Sequence, residues 1–184
     1  MMIRHDLLDP SALSVHISEL LVATAESSDP GIDRAVTTVL RLLREQLRMD
    51  VVFVSEFADG QRVFRFVDSA PDAPTVPVGG SDPLEESYCQ RVVDGRLAEL
   101  VQDAATVPGL PPTPFPVGAH LSTPIRLPDG SVYGTLCCFS MAPNRHLRDR
   151  DLVNLRHCAA LVARKVNAAH DRGGPPDWSA APSP

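Results

Sequence analysis

The chain has 184 residues, 43% hydrophobic and 22% charged, which suffices for one hydrophobic core but not for two domains with separate cores. Its formal net charge of −6, without any run of lysine and arginine, disfavours direct binding to nucleic acid. No apolar stretch of about 18 residues predicts a membrane span and the acidic N-terminus differs from a signal peptide, so we expect a cytoplasmic protein without membrane contact.

Two helices and a hairpin are predicted over the first part of the chain. Apolar residues at helical spacing indicate a first helix over residues 11–25 and a second, stronger one from Pro30 to about Arg48. The β-branched and aromatic residues of 51–57 and 62–67 predict two antiparallel strands. Asp59 and Gly60 between them are typical of a two-residue hairpin turn.

The middle of the chain predicts shorter elements separated by proline. A short helix begins near Asp82 and ends at Gly95, and residues 97–101 form a short strand candidate. The following residues 103–116 are rich in proline, so we expect a loop there. These elements link the first hairpin to the second.

A second hairpin and a long helix close the predicted fold. Residues 119–127 and 131–140 flank a Pro-Asp-Gly turn, and the second of these strands is apolar enough to be buried on both faces. A 3,4-spaced apolar stripe predicts a helix from Arg148 to about Ala169, and its members are Leu152, Leu155, Ala159, Val162 and Val166. Residues 170–184 lack the apolar content to pack and are predicted to be a flexible Pro/Ser/Ala tail.

The four cysteines indicate buried reduced thiols rather than a disulfide framework. Cys89, Cys137, Cys138 and Cys158 all lie within apolar patterns. Because Cys137 and Cys138 are neighbours on a strand, their side chains point to opposite faces and cannot bind one metal ion together. We expect no metal site.

Two sequence blocks carry a family resemblance. The first comprises SYCQRVVDGR at residues 87–96 and VQDA at 101–104, and the second comprises VGAHLSTPI at 117–125 and VYGTLC at 132–137. With the order of elements over residues 15–168, they resemble the GAF domain of bacterial signalling proteins, a relative of PAS. The resemblance implies an α+β fold, with a central antiparallel sheet of about five to six strands, N- and C-terminal helices on one face and a ligand pocket on the other. It divides the chain into an N-terminal helix (1–28), a GAF domain (29–169) and the tail (170–184).

The resemblance also implies where a ligand would bind. In this family the pocket lies between the sheet and the crossover elements, and the matching positions here are Phe53, Ser55, Tyr88, Cys89, Val92, Leu110, Phe115, His120 and Thr123. Each of them could equally be a core residue. The expected function is a non-catalytic sensor that binds a small molecule or a partner protein in signal transduction. The identity of the ligand stays open: it could be a cyclic nucleotide or another metabolite, or the domain could bind no ligand.

Cofactors and catalysis are not expected. Haem-binding relatives carry a histidine in the loop before the fourth strand, where this chain has Thr113 to Pro116, and bilin-binding relatives have a histidine after the attachment cysteine, where Gln90 stands. No glycine-rich phosphate loop, Gly-x-Ser-x-Gly elbow or His-Glu-x-x-His pair occurs. The sequence therefore predicts a protein that is not an enzyme, with no resident cofactor.

Two alternative functions and the oligomeric state stay open. A thiol-dependent reductase or redox sensor, like the family's free methionine sulfoxide reductases, would rest on Cys89. A degenerate domain would instead serve as a protein-interaction scaffold. The helical stripe from Leu152 to Val166 favours a homodimer through the terminal helices, although the same stripe could pack on the sheet. A signalling output protein is a further expected partner.

Overall fold

The computed structural model describes residues 10–23 and 30–178. Within them the helices are α1 (Pro10–Ala23), α2 (Pro30–Leu47), α3 (Tyr88–Val93) and α4 (Asp149–Asp171). The strands are β1 (Val51–Ala58), β2 (Gln61–Ser69), β3 (Ser81–Pro83), β4 (Leu100–Val101), β5 (Ala119–Arg126) and β6 (Val132–Ser140). Single 3₁₀ turns occur at Leu84–Glu86 and Ala104–Thr106.

The strands form one antiparallel sheet in the order β3-β2-β1-β6-β5-β4. The two predicted hairpins, β1–β2 and β5–β6, lie side by side, and β1 pairs with β6 at the centre. Asp59 and Gly60 both have positive φ, 51° and 73°, as the predicted two-residue turn requires. The expected α+β architecture and the central position of β6 are confirmed.

Each central strand presents one row of side chains to each face of the sheet. Val52 and Val54 of β1 face the helices together with Leu136 and Cys138 of β6. The alternate residues face the other way, and among them are Val51, Phe53, Cys137 and Phe139. The predicted separation of Cys137 from Cys138 is thereby confirmed, and all four cysteines are buried and free.

A β-bulge in β2 changes which face of the sheet its side chains point to. Val54 pairs with Phe66 and Ser55 pairs with Phe64, so Arg65 is an extra residue on β2. Phe66 consequently packs on the helix side while Phe64 packs on the opposite side, although the two residues are separated by an even step. The residues before Phe64 are turned in the same way, which carries Arg62 to the side away from the helices.

Three helices cover one face of the sheet and supply most of the core. Leu13, Ile17, Leu40 and Leu43 are fully buried with the strand residues, and each contributes about 1.5–3 kcal/mol of burial free energy. None of the helices in the described ranges has the length and apolar character to cross a membrane. The opposite face of the sheet is covered by α3 and the loops.

The stripe on α4 packs inside the chain itself. Leu155, Ala159, Val162 and Val166 are buried against the sheet and the other helices. The stripe therefore no longer argues for a homodimer, which stays a prediction. Val15 of α1 and Val153 of α4 are large apolar residues that these two helices leave exposed.

Three local features differ from the sequence-based expectations. The short strand β3 precedes the 3₁₀ turn where the sequence suggested the start of a helix, and only Leu100 and Val101 of the predicted strand 97–101 pair with β5. The expectation that the segment after α4 does not pack is wrong for Trp178, whose ring lies 6.3 Å from that of Phe66 and 4.9 Å from the Lys165 ammonium. Residues 1–9, 24–29 and 179–184, including the predicted end of the first helix, lie outside the described residues.

A glycine fixes the distance between the two central strands. Gly134 of β6 lies over the backbone of β1, and a Cβ atom at this position would overlap the carbonyl oxygen of Ser55. Because the obstacle is backbone and not a flexible side chain, the strands would have to separate to admit any larger residue. Close packing of β1 on β6 therefore requires glycine here.

We expect Gly134→Ala to lower the free energy of unfolding by about 3 kcal/mol, since the added methyl group overpacks a backbone contact. Gly174→Ala is the matched control, because its Cβ would meet nothing within 4 Å, and it should change stability by less than about 0.5 kcal/mol. Urea denaturation followed by circular dichroism measures both. Equal stability of the two variants would contradict the close contact.

Candidate functional site

A cavity of about 180 Å³ lies on the face of the sheet opposite the helices. Its floor comes from β1, β2, β5 and β6, and its walls come from α3 and the turn before it. Residues 75–77 and 112–117 cover it as two proline-containing segments. The predicted placement of a pocket, on the sheet face away from the terminal helices, agrees with this cavity.

Five of the nine predicted binding positions line the cavity. They lie on four different parts of the chain and are Phe53, Tyr88, Cys89, Phe115 and His120. The structure thus brings together the first strand, the crossover helix, the proline-rich loop and the fifth strand. Whether these residues bind a ligand stays a prediction.

The other four predicted positions lie elsewhere. The Ser55 hydroxyl is buried below the cavity, where it shares a hydrogen bond of 2.9 Å with Thr135. Val92 and Leu110 belong to a separate apolar cluster around Leu97 and Val101. Thr123 faces the helix side, and its hydroxyl donates to Glu99 at 2.6 Å.

Aromatic rings form most of the apolar wall. Phe115 from the loop stacks on Phe139 of β6, with centroids 5.1 Å apart and an interplanar angle of 9°. Phe53 meets Phe64 edge to face at 5.0 Å. Since these rings come from distant segments, their contacts hold the proline-rich loop against the sheet.

His120 is a buried polar side chain that lines this cavity. It is 2% exposed, and neither Nδ1 nor Nε2 hydrogen bonds with any described residue. Its ring meets Tyr88 edge to face at 5.5 Å. Burial, assisted by the charge of Arg62, lowers the pKa of His120 to about 4, so the imidazole is neutral at pH 7 and offers one donor and one acceptor.

Arg62 is a partly buried cation whose side chain is 15% exposed, and its partners are already in place. Its Nε donates to Asp82 Oδ1 at 2.9 Å, and its Nη2 donates to the second carboxylate oxygen of Asp82. The guanidinium also lies over the rings of Phe53 and Phe64, 5.5 and 4.9 Å from their centroids. Burial lowers the pKa of Arg62, but Cys89 and Asp82 together raise it above its usual value.

Two thiols meet beside this guanidinium. Arg62 Nη1 donates to Cys89 Sγ at 3.2 Å, and Cys137 belongs to the same packed cluster as Cys89. Burial raises the pKa of Cys89, yet the neighbouring Cys137 thiol and the Arg62 charge more than offset burial, so that this pKa lies below its usual value. Burial and the neighbouring Cys89 raise the pKa of Cys137 well above the ordinary range.

The sequence analysis missed Arg62, Asp82 and Cys137 as residues of this site. Arg62 reaches the cavity through the bulge at Arg65, and Asp82 is placed by the pairing of β3 with β2. Cys137 shares its face of β6 with Phe139, a facing that strand alternation could have indicated. Its contact with Cys89 is long-range and left no local pattern.

The family model described as GAF domain matches residues 31–166. The chain belongs to the GAF domain family. This match covers well over half of the chain and contains every residue that lines the cavity. The resemblance stated from the sequence is confirmed.

Solved structures of low sequence identity share this GAF fold. The GAF domain of a phosphoenolpyruvate-protein phosphotransferase from Coxiella burnetii aligns with a TM-score of 0.68 at 16% identity, covering 90% of this chain and 98% of that chain. A free methionine-R-sulfoxide reductase from Neisseria meningitidis, solved with its substrate, gives 0.65 at 13%, covering 89% and 93%. A provisionally assigned GAF sensor protein from Burkholderia vietnamiensis gives 0.63 at 15%, covering 84% and 94%.

At these identities the structural likeness shows the fold alone. The matched proteins include a reductase, a domain of a phosphotransferase and a sensor, so the fold hosts different activities. No curated protein sequence matches this chain significantly. The function of this GAF domain therefore has to be argued from its own cavity.

The neutral state of His120 predicts a pH dependence of stability. Below about pH 6.5 the unfolded chain takes up a proton at His120 that the folded chain binds only near pH 4, so stability falls as the pH drops through this window. When the pH is lowered from about 7 to about 4.5, the free energy of unfolding of native protein should fall by about 2 kcal/mol more than that of His120→Leu. Urea denaturation at the two pH values measures this difference, and equal losses would show that the imidazole is protonated in the folded state.

Proposed function

We propose that this GAF domain is a non-catalytic regulatory module that binds a small, uncharged polar molecule in the cavity. The observation that carries the proposal is the buried imidazole of His120, which lines the cavity with both ring nitrogens unpaired among the described residues. A buried polar group without a partner costs about 1–3 kcal/mol. A ligand that supplies one acceptor and one donor would recover this free energy.

The size and the lining of the cavity support a small ligand. Its volume of about 180 Å³ lies below the roughly 300–1,000 Å³ of sites for drug-sized molecules. Phe115 and Phe139 offer an apolar surface beside the polar edge of His120. We therefore infer a ligand with a compact apolar part and one adjacent amide, hydroxyl or similar group.

A cyclic nucleotide fits the cavity less well. Such a ligand carries a phosphate in addition to a sugar and a base, so it needs a larger volume and a free cation. Among the described lining residues Arg62 is the permanent cation, and its guanidinium is paired with Asp82 and Cys89. Admitting a phosphate would require breaking the pairing with Asp82.

Ligand binding is tested by native mass spectrometry of the purified protein, followed by saturation-transfer NMR with a panel of small metabolic amides, alcohols and uncharged heterocycles. We expect at least one compound to bind native protein and His120→Leu to raise its Kd about tenfold, because the variant loses the polar edge of the site. His146→Ala, which changes an exposed histidine, should leave Kd unchanged.

Two results would contradict this function. If no compound is retained or bound by native protein, the cavity serves packing and the scaffold alternative gains support. If His120→Leu binds the same compounds with the same Kd, the imidazole is not the recognition group. Circular dichroism of both variants verifies that each is folded before binding is measured.

A further inference from the structure

The cavity contains a pair of thiols to which the proposed recognition of a ligand by His120 assigns no role. Cys89 belongs to α3 and Cys137 to β6, both side chains line the cavity, and both belong to the same cluster of packed residues. We propose that this pair is an oxidation site, at which Cys89 reacts with a small hydroperoxide and Cys137 then forms a disulfide with it. The proposal does not depend on the identity of any bound ligand.

The surroundings of Cys89 favour the reactive form of a thiol. A thiolate, and not a thiol, is the nucleophile toward peroxides and disulfides. Arg62 Nη1 donates a hydrogen bond to Cys89 Sγ at 3.2 Å, which stabilises a negative charge on this sulfur. Asp82 and the rings of Phe53 and Phe64 fix the guanidinium, so its charge stays beside the sulfur.

Cys137 has the properties of the second, resolving thiol. It is buried next to Cys89, and the neighbouring negative charge and burial hold its pKa high, so it keeps its proton while Cys89 loses one. Both residues belong to one packed cluster, and a disulfide would bring the two sulfurs to about 2.05 Å. Each of the two thus has a different role although both lie in one cavity.

The chemistry balances with a hydroperoxide as the oxidant. The Cys89 thiolate attacks the terminal oxygen, an S–O bond forms, the O–O bond breaks, and the alcohol leaves with a proton. Cys137 then attacks the Cys89 sulfur, the S–S bond forms, the S–O bond breaks, and water leaves with the Cys137 proton. In total two thiols and one hydroperoxide give one disulfide, one alcohol and one water.

The helix side of the sheet provides an internal control. Cys138 and Cys158 are also buried, but they lie in the apolar core. Burial raises the pKa of both, and the neighbouring Cys158 raises that of Cys138 further. Neither is among the described residues that line the cavity. This second pair should therefore stay reduced under conditions that oxidise the first.

The experiment treats native protein with hydrogen peroxide, blocks the remaining thiols with N-ethylmaleimide after unfolding, and maps the peptides by mass spectrometry. We expect a product lighter by two hydrogen atoms, in which the Cys89 and Cys137 peptides are joined and Cys138 and Cys158 are alkylated. Dithiothreitol should reverse the change. Four alkylated cysteines, or a Cys138–Cys158 link formed at least as fast, would overturn the proposal.

Variants separate the roles of the residues. Cys137→Ser should form no disulfide and should yield a Cys89 sulfenic acid that dimedone traps, whereas Cys138→Ser should still form the link. In Arg62→Met, alkylation of Cys89 by iodoacetamide should rise about tenfold per pH unit between about pH 6.5 and about pH 8.5. In native protein and in Arg62→Lys, the rate of Cys89 alkylation should change by less than about threefold over the same pH range.

These readouts distinguish a reactive pair from a merely structural one. If the rate of Cys89 alkylation rose as steeply with pH in native protein as in Arg62→Met, Arg62 would not be what holds Cys89 as a thiolate. Dimedone labelling of Cys137 in Cys89→Ser, at the rate seen for Cys89 in Cys137→Ser, would overturn the assignment of roles. Peptide mapping of native protein decides the proposal even where a variant does not fold.

Discussion

The alternation of side chains along β1 and β6 is the constraint on which the rest of this molecule depends. Both strands are buried on both faces, so each residue belongs either to the helix side or to the cavity side. A slip of one residue would exchange the two sets and place Phe53 and Phe139 under the helices. The packing of α1, α2 and α4 on one face thereby also positions the cavity on the other.

Charge balance explains how a cation can be buried in this cavity without making it an anion site. The guanidinium of Arg62 meets one carboxylate and one sulfur, and two aromatic rings cover it. Its charge also keeps the nearby His120 neutral, together with burial. The cavity therefore combines an internally compensated ionic cluster at one end with an uncharged hydrogen-bonding edge at the other.

The sequence predicted the elements with a regular period better than those without one. The 3.6-residue pattern of α4 and the two hairpins with glycine turns are local, and they appear close to the predicted positions. β3 has three residues and its place follows from pairing with β2, so no local pattern marks it. The bulge at Arg65, which moves Arg62 into the cavity, likewise arises from the register between strands and not from residue type.

The site was predictable in part, and one error was avoidable. His120 and Thr123 are three residues apart on a strand, so they face opposite sides and could not both line one cavity. The contact of Cys89 with Cys137, in contrast, joins segments distant in sequence, and only the packed fold reveals it. The family resemblance located the cavity, while its chemistry depended on long-range contacts.

The end of α4 has a mechanical consequence. Gly173 adopts a left-handed conformation with φ of 80°, its amide and that of Gly174 bond back to His170 and Ala169, and Trp178 then packs beside Phe66. The helix is thus stopped and the chain after it returns to the sheet. A rotation of α4 is therefore not transmitted along its axis into the chain after Gly173. The contact of Trp178 with Phe66 instead connects that segment to β2, whose Phe64 lines the cavity.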